Sequence, residues 1–148
     1  MLLEDPVFTA YAATSTVLAL HTMSLSASTA LARVKARKVV NQEDSATVSK
    51  GADVVPVEPE AVLRTQRAHR NAIENIVPYF VVAGLYAMTG PSATAAWVYF
   101  GVYVATRILH SFFYLNAIQP WRTVMFAIGS LAVLGMAVHV LRAAMQAK

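Results

Sequence analysis

Three short stretches of this 148-residue chain carry side chains able to hold a small anion and stabilise developing negative charge. Arg67, Arg70, Asn71 and Glu74 stand at i, i+3, i+4 and i+7, a spacing that places all four on one face of a helix. Arg107, His110, Ser111 and Tyr114 repeat it. Pro120-Trp121-Arg122-Thr123 reads as the opening turn of a further helix. Proline is tolerated there, and free backbone N–H groups and the positive dipole end favour an anion. The chain has no cysteine, so any thiol chemistry must use a thiol that arrives with a substrate. The four histidines lack a metal-ligand spacing, and no HExxH, P-loop or GxSxG pattern is present, so no metal site is expected.

The elements that position these residues follow from where charge is missing. Lys plus Arg number 12 and Asp plus Glu 8, or 14% of the chain, against about 25% in a soluble domain. Hydrophobic residues make up 57%, and mean hydropathy is +0.50. So few charges cannot cover the surface of a soluble globule of this size. Residues 6–32, 75–106 and 123–141 contain no charged side chain, and a membrane crossing needs roughly 20 mainly apolar residues. The middle run is too long for one ordinary crossing, and Thr89-Gly90-Pro91-Ser92 inside it is a strong turn signal. The expectation is an all-α chain of four transmembrane helices, about 6–38, 60–88, 92–115 and 120–144, forming a single integral-membrane domain over 1–148. Residues 39–59 are expected to be a flexible polar loop.

Basic residues set the orientation. Arg33, Lys35, Arg37, Lys38, Lys50, Arg64, Arg67 and Arg70 flank the long loop, and Arg122 stands by the last connection. That loop and the 116–121 connection are therefore expected to face the cytosol, with both termini and the Gly90 hairpin on the other side. The N-terminus is acidic (Glu4, Asp5) and the first apolar run is longer than an h-region, so a secretory signal peptide is not expected. The positive-inside bias already accounts for the net charge of +4, so a nucleic-acid partner is not expected either.

Each motif also has a plainer reading. Arg64, Arg67 and Arg70 can serve only as topology charges, with Glu74 paired to Arg70. Arg122 can be a basic anchor beside an interfacial Trp121. Arg107 lies deep in an uncharged stretch, which costs at least about 2.5–3.5 kcal/mol, and a structural pair with Glu74 would offset that. His69 reads as interfacial or structural, and His21 and His139 as isolated in apolar helices. Three helices that each bring an arginine with hydroxyl or amide donors to one membrane boundary nevertheless describe a pocket for a small polar anion, open to cytosol and lipid. A small anion transporter with Arg107 and Glu74 along its path stays open as an alternative.

At these residues the sequence resembles the membrane-associated proteins in eicosanoid and glutathione metabolism, the MAPEG family. It is most similar to the branch of the microsomal glutathione transferases and the inducible prostaglandin E synthase. The motifs are Arg67-Ala68-His69-Arg70-Asn71-x-x-Glu74 followed by Pro78, then Gly90-Pro91, Arg107-x-x-His110-Ser111-x-x-Tyr114-Leu115, and Pro120-Trp121-Arg122-Thr123. The similarity is close from about Arg64 to Thr123 and looser elsewhere. It implies a homotrimer of four-helix subunits binding glutathione near the cytosolic face between neighbours. It further implies glutathione contacts from Arg33, Arg70, Asn71, Glu74, His110, Tyr114, Arg122 and Thr123, support from Arg67 and Arg107, and thiolate activation by Arg122 and Thr123. The implied partners are glutathione, membrane lipid and a lipophilic substrate from the bilayer. The implied activity is transfer to lipophilic electrophiles or reduction of (hydro)peroxides, with a prostaglandin-E-synthase-like isomerase and a non-enzymatic lipid-binding scaffold as alternatives. Ala72 stands where the synthase motif has Asp, and Phe126 where it has a Tyr near the thiol, which bears on isomerase specificity. Asp44 matches a loop Asp assigned a catalytic role in the synthase.

Overall fold

The computed structural model describes residues 2–146. A 3-10 turn (Leu2–Glu4) precedes α1 (Pro6–Ala36), followed by β1 (Lys38–Val39), α2 (Gln42–Ala46), β2 (Asp53–Val54), α3 (Glu60–Met88), α4 (Ala93–Leu115) and α5 (Trp121–Gln146). The four long helices lie within about two residues of the expected bounds because their ends carry strong local signals. Asp5 caps α1, accepting from the Val7 N–H at 2.8 Å, with Pro6 at the first helical position. Gly90 turns the chain at φ +67° between α3 and α4, a conformation that a side chain would strain, and Ser92 then caps α4.

α1 packs on α3 and α4, and α5 packs on α4 and α3, so α1 and α5 flank the α3–α4 pair. The shared core is aromatic. Tyr79 and Tyr103 stack at 4.2 Å, and Phe100 meets Tyr79 and Tyr86 edge-on. Each such pair adds about 0.5–1.5 kcal/mol beyond its buried area. The phenol groups find partners inside: Tyr79 with Thr14 at 3.1 Å, and Tyr103 donating to the Asn75 carbonyl at 2.6 Å.

The outside of the four helices is apolar, with Met23, Val81, Leu131, Leu134 and Leu141 all more than half exposed, a surface that soluble monomers rarely present. Among the described residues only α5 is long and apolar enough to read as a membrane span on composition alone, with a window of mean hydropathy 2.2. The other three are less apolar for visible reasons. α3 opens with the charged stretch of the candidate site, and α4 carries Arg107 and His110. α1 is rich in Ser and Thr, whose hydroxyls turn back onto their own helix: Thr14 to the Ala10 carbonyl, Thr22 to Leu18 and Thr29 to Leu25.

The long loop differs from the expectation of a flexible polar segment. β1 and β2 pair in parallel, Lys38 with Asp53 and Val39 with Val54, and α2 crosses between them. Val39 and Ala52 are buried, and the Ser45 hydroxyl donates to the Ala52 carbonyl at 2.7 Å. Its far end is clipped to α1 by Arg33 and Glu58, 2.7 Å apart. Two buried apolar residues and one ion pair are too small a signal to stand out in a stretch otherwise rich in turn formers.

Candidate binding and catalytic site

Two clusters contain all ten residues expected at the site. The first surrounds a cleft between α1 and α3 of about 560 Å³, whose polar lining is Ser26, Thr29, Arg33, Gln66, His69, Arg70 and Glu74. Arg70 and Glu74 are exposed along the outer face of α3. No ion pair joins Glu74 to Arg70 or Arg107 among the described residues, so both plainer pairings suggested by the sequence are absent. Arg33 is committed to Glu58, which the sequence did not anticipate. His69, expected to be interfacial or structural, lines the cleft. Asn71 is half-buried on the adjoining edge of α3, its Oδ1 buried without a partner, while its carbonyl accepts from the Asn75 amide at 2.8 Å.

The second cluster lies where α3, α4 and α5 meet. Arg67 bonds Glu60 two turns back and also faces Tyr114 on α4. The Arg122 guanidinium lies over the same ring, 4.6 Å from the Tyr114 ring centre, well within cation–π range. His110 is 6% exposed, and its Nδ1 is 2.9 Å from the Arg122 carbonyl. A carbonyl only accepts, so Nδ1 carries the proton and donates. In the neutral ring Nε2 is then a bare acceptor, and it is buried without a partner among the described residues. Gln119, which the sequence reading missed, ties the mouth of α5 together: its amide oxygen accepts from Arg122 Nη2 at 2.6 Å and its nitrogen donates to the Thr123 hydroxyl at 3.2 Å. Its spacing of three and four residues from Arg122 and Thr123 was the available signal.

Behind this cluster Arg107 is 3% exposed. Its Nη2 donates to the Phe126 carbonyl at 3.0 Å, and its carbon centre lies 5.2 Å from the rings of both Tyr103 and Phe126. Two cation–π contacts of about 0.5–2 kcal/mol each, with a charge-assisted bond of about 1.5–3 kcal/mol, are comparable to the roughly 2.5–3.5 kcal/mol burial cost. No carboxylate is needed. Its Nε and Nη1 remain buried without hydrogen-bond partners. Gly129 makes room for it, since a Cβ there would lie 2.6 Å from Arg107 Nη2 and 2.8 Å from the Thr106 hydroxyl. Gly129→Ala is accordingly expected to destabilise the protein by about 1–3 kcal/mol, read as a lower thermal midpoint in detergent. An unchanged midpoint would show that the guanidinium does not occupy this slot.

Chemically the two clusters are complementary. The cleft offers Arg70 and Glu74, neither in an ion pair among the described residues, beside the Arg33 held by Glu58, and so suits a ligand with an anionic group and an ammonium. The α5 entrance offers a fixed cation, a hydroxyl and a helix N-terminus, suited to a developing anion. Asp44 stands apart on α2, accepting from the Asn41 amide at 3.2 Å. No group of three or more His, Cys, Asp or Glu capable of holding a metal occurs among the described residues.

The MAPEG family profile matches residues 11–142. Microsomal glutathione S-transferase 1 of Rattus norvegicus is 35% identical over 144 residues, covering 95% of this chain and 93% of that protein. The human protein of the same name is 33% identical over 95% and 92% of the two chains. Human prostaglandin E synthase is 29% identical, again over 95% and 92%. With both charged clusters inside the matched span and the similarity running almost from end to end, the chain belongs to the MAPEG family.

Proposed function

We propose that this chain is a glutathione transferase of the membrane, a single-domain four-crossing subunit that works as a homotrimer with its site toward the cytosol. The observation that carries the reading is Arg122, held over Tyr114 and by Gln119 beside Thr123 at the start of α5. A cation and a hydroxyl fixed at the positive end of a helix dipole are what a thiolate requires. Glutathione fits the remaining residues. Its carboxylates suit Arg70 and the arginine at α5, with Arg33 adding to the cleft, and its ammonium suits Glu74. Asn71 and His110 Nε2 offer acceptors for its amides. The outward direction of Arg70 and Glu74 supports an assembly in which a second copy covers that face, and the apolar exterior supports the bilayer as its surroundings.

Glutathione is a substrate that supplies the nucleophilic thiol absent from the chain. The protein's part is to favour the thiolate, orient it, and admit an electrophile from the lipid. With an aryl halide a C–S bond forms, halide leaves, and the thiol proton goes to water. Reduction of lipid hydroperoxides uses the same activated thiol with a second glutathione. Phe126 rather than a phenol stands 5.9 Å from the His110 ring, which favours transfer over isomerisation.

Purified trimer assayed with glutathione against an aryl halide, a lipid hydroperoxide and a prostaglandin endoperoxide tests the reading. Turnover of the halide, with or without the hydroperoxide, is expected. Calorimetry showing no glutathione binding through the millimolar range, with no turnover of any acceptor, would instead identify a lipid-binding scaffold.

A further inference from the structure

The second half of the chain is electrically one-sided. Residues 75–148 contain no Asp or Glu but hold Arg107, Arg122, Arg142 and Lys148, which together equal the whole net charge of +4; residues 1–74 balance. Arg107 has its rings and carbonyl, and Arg122 belongs to the site above. Arg142 belongs to neither. It lies 20 residues along α5 from Arg122, about 30 Å along the axis, and therefore at the opposite membrane end.

Arg142 closes a groove of about 460 Å³ between α5 and α4, lined by Tyr99, Leu131, Leu134, Gly135, Val138 and His139. The α5 residues fall at i, i+3, i+4, i+7, i+8 and i+11, one continuous stripe about 16 Å long. Its polarity is graded. Leu131, Leu134 and Val138 face outward toward the middle of the span and are exposed, while His139 and Arg142 stand at the end. The Tyr99 ring seats against Gly135, where a Cβ would come within 2.9 Å of it. His139 is fixed edge-on to Tyr86 at 5.1 Å. No carboxylate lines the groove.

We propose that this groove is a binding site for an anionic phospholipid of the leaflet opposite the glutathione site, its phosphodiester on Arg142 and His139 and one acyl chain along Leu131, Leu134 and Val138. Charge complementarity selects the headgroup: an arginine at the membrane–water boundary with no acidic partner among the described residues attracts lipid carrying net negative charge. The apolar track, open to the bilayer along its length, has the form of a chain rather than of a soluble anion. The inference rests on the membrane placement proposed above but uses none of the catalytic residues.

The test is lipid retention by the detergent-solubilised trimer, followed by native mass spectrometry during titration with phosphatidylglycerol or phosphatidylcholine of matched chains. Wild type should prefer phosphatidylglycerol about fivefold, the order expected for one interfacial cation. Arg142→Gln should abolish that preference, and Val138→Trp should lower retention of phosphatidylglycerol by filling the track. Both variants should keep wild-type conjugation and trimer size, which separates this site from the glutathione reading. Equal retention of the two lipids by wild type, an undiminished preference in Arg142→Gln, or displacement of the lipid by millimolar inorganic phosphate would overturn the proposal.

Discussion

Arg122→Ala is expected to lower glutathione conjugation by roughly 25-fold at neutral pH. A free thiol titrates near 8.5, so only a few per cent is ionised at pH 7. Lowering that pKa by about two units needs roughly 2.7 kcal/mol of differential stabilisation, an amount within reach of a half-buried guanidinium aided by a hydroxyl and a helix N-terminus. Arg122 is preorganised for it by the Tyr114 ring and by Gln119, so no reorganisation is required as charge develops. The pH profile distinguishes this from simple loss of packing. In wild type the rate should level off well below pH 8, because the bound thiol is already ionised there. In Arg122→Ala it should keep rising toward the titration of the free thiol, narrowing the gap at alkaline pH. Arg122→Lys should fall between the two, since it keeps the charge but loses the planar fork. A variant that retains its trimer and shows the wild-type pH profile would remove Arg122 from this role.

The second large effect is expected at Glu74. Glu74→Gln should weaken glutathione binding about 10- to 100-fold, the range of one charge-assisted hydrogen bond, while turnover at saturation changes little. The carboxylate has no ion pair among the described residues and is exposed beside Arg70, so it is available to a ligand ammonium. A glutathione analogue lacking the γ-glutamyl amino group supplies the control. It should bind wild type and Glu74→Gln alike, because the group that Glu74 recognises is gone. If the variant discriminates against the analogue as strongly as against glutathione, Glu74 acts on the helix and not on the ligand.

The four long helices were legible because charge is excluded from long segments and the breaks carry strong turn residues, Gly90-Pro91 and the 116–120 connection among them. The polar faces were legible from spacing alone. What spacing could not give was the distribution of those residues between two clusters. Arg67 and Arg70 share a helix face yet diverge, one to Tyr114 and the other to the cleft with Arg33. Nor could it give the environment of Arg107. A lone intramembrane arginine suggests an acidic partner, whereas the fold answers it with two ring faces, a carbonyl and the space left by Gly129. Such partners are ordinary apolar residues until the helices are brought together. The ordering of the long loop was hidden for a similar reason, resting on the burial of Val39 and Ala52 and on Arg33 meeting Glu58.

α3 is an unbroken helix of 29 residues, about 43 Å long, against a hydrocarbon layer of about 30 Å. With its polar first turns projecting beyond that layer, the same rod carries groups for a water-borne reactant at one level and an oily wall at the next. In the proposed membrane placement the two reactants are dissolved in different solvents and meet only along this boundary. The concentration that governs saturation by the electrophile is then its mole fraction in the lipid, not its amount per litre. Diluting the membrane with inert lipid at constant total acceptor should raise the apparent KM for the acceptor and leave that for glutathione unchanged.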